Sequence, residues 1–442
     1  MLTKNKEVME MKQSKILISL VVLVISITNV CAQDWPQIHG PSRDGVSAQK
    51  GILRSWPEKG PEVLWTVNVG IGFGGPVIKD GKVYLLDRDD KVGDKLRCFD
   101  FSNGKELWSF GYNAPGAVMF PGSRSVPTID GNLIYTCGPY GNLYCIDITT
   151  QKPVWNKNVW TDFGGGEIPR WAITQCPLIY GNLLIVASQS PQTGVVAYDK
   201  LTGNVKWKTP SLGPLGYVSP GIVKVGKEIH ITMVTASAGR GSNASGGKVV
   251  GIEPLTGKIL WEYSNWQCSI PTPNVVDAGD GRFLVTGAYQ AGSAMIKVEK
   301  KADGTYGVTE LFKNPDFGTH TQPPILVNGY FYAQYSTNER KDGFICMSMD
   351  GQVKWKTARE PLFDKGGIIL ADGLFLATDG ASKLYLIEPD PAKFKPIASA
   401  ELLKPEAGDK NSANQNWAPL ALSNGKLLIR DQTRLMCVKV AQ

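Results

Sequence analysis

The chain has 442 residues, enough for one large repeat domain or two to three ordinary ones. Charged residues are 20% and hydrophobic residues 42%, ordinary for a globular protein, while 49 Gly, 28 Pro and 12 Trp favour short strands joined by tight turns. The net charge of +7 comes without a basic block interleaved with aromatics, which argues against nucleic-acid binding.

Residues 1–32 read as a secretory signal peptide. Lys12 and Lys15 precede an apolar run from Ile16 to Ile27, and Val30-Cys31-Ala32 forms a small-x-small cleavage signal. Met11 is a candidate for the true start, because the ten residues before it are polar. The apolar run is short for a membrane span, so the expected product is periplasmic or secreted, with no transmembrane anchor. Lipidation of Cys31 is the lesser alternative, because Val30 fits poorly in front of a lipid-bearing cysteine. Residues 33–61 are expected to form an N-terminal extension, and 62–442 a single repeat domain.

Two motifs alternate through that domain. One is Pro, a β run, a turn with Asp or Asn and Gly, and a second β run: PVIKDGKVYLLD from Pro76, PTIDGNLIYTCG from Pro127, PILVNGYFYAQYS from Pro324. Eight copies occur; the seventh, from Gly366, lacks the Pro. Spacings between consecutive Pro-headed copies run from 43 to 53 residues. The other motif, VVAYDKLTGNVKW at 195–207 and VVGIEPLTGKILW at 249–261, is a second hairpin closed by Trp. A period near 50 with four short strands per unit predicts an all-β chain, an eight-bladed β-propeller of four-stranded antiparallel blades. The last copy stops after RLMCVKV, whereas EVLWTVNVG at 62–70 is an outer strand with no partners before it. The N- and C-terminal strands should therefore share one blade and close the ring, which removes free sheet edges. Seven Cys follow the signal peptide, and Cys98, Cys145, Cys346 and Cys437 occupy one repeat position. With no CxxC among them, they read as small buried residues rather than a zinc site.

The connection from each outer strand to the next inner strand crosses one face and ends at the central funnel. Positions before the inner strands give Phe73 between Gly72 and Gly74, then Arg124, Arg170, Trp171, Tyr217, Trp266, Gln267, His320, Lys365, Asn416 and Trp417. Two long connections, 110–126 and 157–176, would form a rim. This set is cationic and aromatic, which suits a planar or sugar ligand carrying negative charge, such as a uronate. His320 as base, Tyr217 as acid and Arg124 neutralising a carboxylate would serve a lyase or hydrolase; the others would contact ligand. His230, inside a strand, reads as structural. GRGSNASGGK at 239–248 reads as a loop rather than a phosphate cradle. DRDD at 87–90 and DAGDG at 277–281 read as turns and solvated charge rather than calcium sites.

The Trp-closed hairpins resemble the tryptophan-docking repeats of the pyrroloquinoline-quinone-like propeller superfamily, over almost all of the chain after the leader. DWPQIHGPSRDG at 34–45 resembles a prefix found on exported members. The resemblance implies either a quinone- and calcium-dependent alcohol dehydrogenase or a BamB-like protein that carries no quinone. This chain has no two adjacent Cys for the vicinal disulfide of those dehydrogenases, no CxxCH, and at the mouth Asn416 without a convincing acidic partner. The expected function is thus a binding or scaffold propeller without quinone, its partner a small molecule, a glycan or an outer-membrane or periplasmic protein, as a monomer. The alternatives are an enzyme on acidic glycans and a quinone/calcium dehydrogenase.

Overall fold

A short strand hairpin with one apolar face is unstable alone and must stack on a neighbour. Eight four-stranded antiparallel blades do so in this computed structural model, which describes residues 33–239, 243–336, 343–403 and 415–442. The expected signal peptide lies outside the described residues. Blade 1 consists of Val77–Lys79, Lys82–Asp89, Gly93–Asp100 and Glu106–Asn113, from the inner strand A to the outer strand D. Blades 5 and 7, whose second hairpin has lost the Thr-Gly-Trp motif, keep their outer strands at Tyr306–Asn314 and Pro396–Glu401. Closure follows the expectation: Val63–Asn68 pairs antiparallel with Arg434–Lys439 and completes blade 8.

One contact recurs around the ring. In six blades the strand-D Trp lies opposite a small strand-C residue: Cys98 with Trp108, Cys145 with Trp155, Ala197 with Trp207, Gly251 with Trp261, Cys346 with Trp355 and Cys437 with Trp65. A register shift beside each pair turns the indole across its partner. The space is tight: a Cβ on Gly251 would stand 2.1 Å from Trp261. All seven described Cys are buried and free, consistent with this packing role. The indole then reaches the next blade. Nε1 of Trp65, Trp155, Trp207 and Trp355 donates to the carbonyls of Phe101, Lys200, Pro254 and Asp390, at 2.9 to 3.1 Å. For Trp65, Trp155 and Trp207 the ring face packs on the turn glycine of that blade; a Cβ on Gly257 would lie 2.5 Å from Trp207, and one on Gly203 2.7 Å from Trp155. Trp261 differs, donating within its own blade to Nδ1 of the buried His230 at 3.0 Å, which gives that histidine the structural role expected.

The segment ahead of blade 8's outer strand is well packed. Trp35 is buried and forms a bridge with Ile78, and Val46–Ser47 adds a parallel fifth strand inside blade 7. The glycine at the C–D turn therefore has two duties, a left-handed backbone and a flat seat for indole. Gly226 and Gly257 both have positive φ, +60° and +76°, but a Cβ on Gly226 meets nothing within 4 Å. Gly226→Ala should cost about 1–2 kcal/mol of left-handed strain. Gly257→Ala should cost about 1–3 kcal/mol more, from overpacking against Trp207. The difference between their guanidinium midpoints measures the docking contact directly.

Candidate ligand-binding funnel

The D-to-A connections and the B–C turns reach the same end of the ring and enclose a cavity of about 1690 Å³. Its wall includes Phe73, Arg124, Arg170, Trp171, Tyr217, His320, Lys365 and Trp417, all from the positions read in the sequence. Three groups divide this wall.

The first is aromatic. Gly72 and Gly74 lie flat on the chain at 123–125, where Cβ atoms would come within 2.8 Å of Ser123 and 2.6 Å of Ser125. Phe73 between them projects and stacks on Trp417 at 5.4 Å, with Phe120 at 5.8 Å from the same indole. Lys365 Nζ stands 4.2 Å from the Trp417 ring centre. Asp364, buried, holds both: Oδ1 pairs with Lys365 at 2.7 Å and Oδ2 accepts from Trp417 Nε1 at 3.0 Å.

The second group is built on Arg124. Its Nη1 donates to the Trp171 carbonyl at 2.6 Å, and Nη2 to the carbonyls of Met119, at 3.0 Å, and Phe120. This guanidinium ties the two long connections together. Burial draws its pKa down to about 10. Trp171 meets Tyr217 edge-on at 5.5 Å, and the exposed Arg170 lies over the Trp171 face at 5.2 Å.

The third is His320. Its Nε2 hydrogen-bonds Tyr289 Oη at 2.8 Å, and Nδ1 is buried with no partner on another residue. Burial first, and the Lys365 charge second, pull its pKa down to about 3. The imidazole is therefore uncharged at neutral pH and a weak proton acceptor. Burial also pushes the Tyr217 phenol up, away from ionisation. The three residues considered for catalysis share one cavity, but Arg124 is committed to backbone carbonyls.

Three expected wall residues lie off it. Trp266 is buried in the core with Nε1 on the Ala291 carbonyl at 3.0 Å. Gln267 clips Gly247, accepting from its N–H at 2.8 Å and donating to its carbonyl at 2.9 Å. Asn416 is buried and donates through Nδ2 to the Ala381 carbonyl, because alternation sends it away from the funnel that Trp417 faces. Conversely, Tyr289, Phe120, Asp364 and Arg43 line the cavity without having been singled out. Tyr289 lies on a B–C turn between Gly287 and Gly292, a class of turn that reaches the same face.

A family model described as "Outer membrane protein assembly factor BamB", of the PQQ-like repeat type, matches residues 46–170 and 93–357. The chain belongs to this family of PQQ-like β-propellers. It is 24% identical over 187 residues to a quinohemoprotein alcohol dehydrogenase of Comamonas testosteroni, covering 40% of this chain and 25% of that protein. It is 26% identical over 129 residues to a tetrathionate hydrolase of Acidithiobacillus ferrooxidans, covering 28% and 25%. The matched segment thus spans about a quarter of the length of these curated relatives. A europium-containing methanol dehydrogenase superposes with a TM-score of 0.61 over 92% of this chain and 89% of its own, at 13% identity, a likeness of fold alone.

Those names raise the question of a metal-bound quinone. The aromatic wall would suit a planar ring, but the donor set does not suit the metal. Asp364 is held by Lys365 and Trp417, Asn416 is turned away, and among the described residues no three His, Cys, Asp or Glu side chains gather. DRDD is instead an ion-pair cluster, with Arg88 on Asp90 at 2.7 Å and on Asp94 at 3.0 Å. Asp277 in DAGDG caps its own turn. The residues present do not fit a quinone–metal centre.

The histidines make a pH prediction. Desolvation takes the half-buried His320 down to about 3 and the half-buried His39 to about 4, from an ordinary 6.5. The unfolded chain takes up protons near pH 6.5 that the folded chain refuses, so their stabilisation is complete above that pH and is lost as pH falls toward 4. Each histidine contributes a slope of about 1.4 kcal/mol per pH unit in that window. Urea denaturation of wild type and His320→Gln between pH 7 and 4 should show the shallower decline in the variant.

Proposed function

We propose that the chain is an exported propeller that binds an acidic, ring-bearing ligand of the uronate class in this funnel, without a bound quinone. The observation that carries the reading is the pairing of a cation with a half-buried indole at two places on the cavity wall: Lys365 over Trp417 and Arg170 over Trp171. A pyranose ring packs its C–H face on indole, while the cations of the funnel attract its carboxylate. Arg170 makes no ion pair among the described residues, so it is free to serve an incoming anion. Binding rather than turnover is supported by the weak basicity of His320 and the backbone commitment of Arg124. Quinone-dependent alcohol oxidation is the second reading. It is favoured by the names of the dehydrogenase relatives and opposed by the donor set.

Titration of tryptophan fluorescence with oligogalacturonate should saturate; Trp417→Ala should weaken it about tenfold, equivalent to about 1.4 kcal/mol, and Arg170→Ala, whose side chain is exposed, by less, about threefold. Neutral oligogalactose should bind less well. No saturable response to the acidic glycan would sink the reading, as would release of unsaturated uronates absorbing in the ultraviolet. Tight uptake of quinone with calcium, with dye-linked alcohol oxidation, would establish the second reading instead.

A further inference from the structure

The N-terminal prefix reaches into the channel. Asp34 binds the A–B turn of blade 1, through Lys79 Nζ and the Asp80 N–H, both at 3.0 Å. The returning chain meets the A–B turns of blades 7 and 8, with Gly51 N–H on Asp372 at 3.1 Å and Gly425 N–H on Gln49 at 3.0 Å. Those turns lie at the end of the blades opposite the D-to-A connections. Between these anchors the chain rises as a compact loop, closed by Gly40 N–H to Gln37, Arg43 N–H to Gly40 and Gly45 N–H to His39. His39 and Arg43 both hold φ at +58°, a costly left-handed backbone for non-glycine residues that the surrounding contacts must enforce.

The loop carries Arg43 to the start of the inner strands. Nη1 donates to Gln37 Oε1 at 3.1 Å and to the Pro177 carbonyl at 3.0 Å; Nη2 donates to the carbonyls of Cys176 and Pro220, both at 3.3 Å. Every one of these acceptors is uncharged. His39 beside it binds Gln322 at 2.9 Å and is neutral. Asp44, the next residue, is exposed and caps the Val46 N–H. Arg43 is therefore a half-buried cation with no ion-pair partner among the described residues; these four acceptors occupy its Nη donors, as carbonyls do for Arg124, and leave Nε–H and the uncompensated charge to meet an anion from the cavity it lines. Removing a charge from water without an ionic partner is unfavourable, and an anion arriving on that surface offsets the cost.

We propose that Arg43 is the anion anchor of the funnel, a specificity-determining residue that receives the ligand's carboxylate below the aromatic rim. This rests on the acidic-ligand reading above but adds a site supplied by the prefix rather than by any blade. A purely structural staple would hold the loop without responding to anions, and the test separates the two.

The full chain is melted in acetate or sulfate against chloride at equal ionic strength. The anchor predicts a saturable rise in Tm with acetate in wild type, its loss in Arg43→Gln, and a weaker response in Arg43→Lys, which keeps charge but neither the Nε–H nor the bonds that hold the guanidinium in place. No anion-specific rise in wild type, or the same rise in Arg43→Gln, overturns the proposal. If Arg43→Gln does not fold, Arg43→Lys decides: an unchanged acetate response overturns the anchor, and an about tenfold weaker one supports it. Failure of the acidic-glycan reading looks different. In that case oligogalacturonate does not bind while the acetate effect still depends on Arg43. Oligogalacturonate binding of equal strength in wild type and Arg43→Gln would instead discard the anchor and keep the funnel.

Discussion

The fold depends on a tryptophan laid between two blades. The docking indoles of Trp65, Trp155 and Trp207 are each fixed on one side by a small strand-C residue and on the other by a glycine in the next blade's turn, with Nε1 on a carbonyl of that blade. A flat ring against two backbones gives a large apolar contact, and the hydrogen bond satisfies its one polar atom. The contact also determines where each unit stops and the next begins. It operates across the closure too: Trp65, from the first outer strand, reaches Phe101 of blade 1 and secures the blade assembled from both ends of the chain. Cys, Ala and Gly all occur opposite the indole because the requirement there is for little volume, not for sulfur chemistry, and at Gly251 not even a Cβ fits.

Because the docking contact is made by the outer strands and their turns, the connections that lead into the inner strands are free to differ. The stretches before the inner strands hold Phe73, Arg124, Trp171, Tyr217, His320, Lys365 and Trp417, no two blades alike. The superfamily name belongs to the Trp-closed hairpin, and the hairpins at 195–207 and 249–261 do not line the cavity. Relatives called alcohol dehydrogenase and tetrathionate hydrolase share segments of this chain, which is expected when the shared part is the docking scaffold.

The eight hairpins and the split blade were legible in the sequence because their signals are local: glycine turns, two-residue alternation and a fixed period. Blades 5 and 7 kept their outer strands without the motif because pairing to strand C and stacking on neighbours suffice. At the site, position along the connection found the wall residues but not their partners. Asn416 and Trp417 are adjacent and face opposite ways. Trp266 looked like a ligand platform and is core, since its indole finds a carbonyl within blade 5. Arg124 looked like a ligand for carboxylate, yet its acceptors at 119, 120 and 171 come from loops whose paths no local pattern specifies. Arg43 was quoted only as part of a prefix, and nothing short of the folded ring reveals that the prefix rises through it.

These partners sort the cations by what remains available to a ligand. Lys365 is half-neutralised by Asp364, which also orients Trp417, so this trio presents a stiff aromatic surface with modest positive character. Arg124 organises the rim through carbonyls. Arg170 is exposed over Trp171 and meets a ligand in high dielectric, where an ion pair contributes little by itself. Arg43 sits where water is scarcer and its acceptors carry no charge, so the same carboxylate contact is electrostatically stronger there. A ligand with one ring and one acidic group would thus gain orientation from the rim and acid-versus-neutral discrimination from the loop below it. On this division of labour the blades supply the ring-binding surface, and the short prefix that precedes them supplies the selectivity.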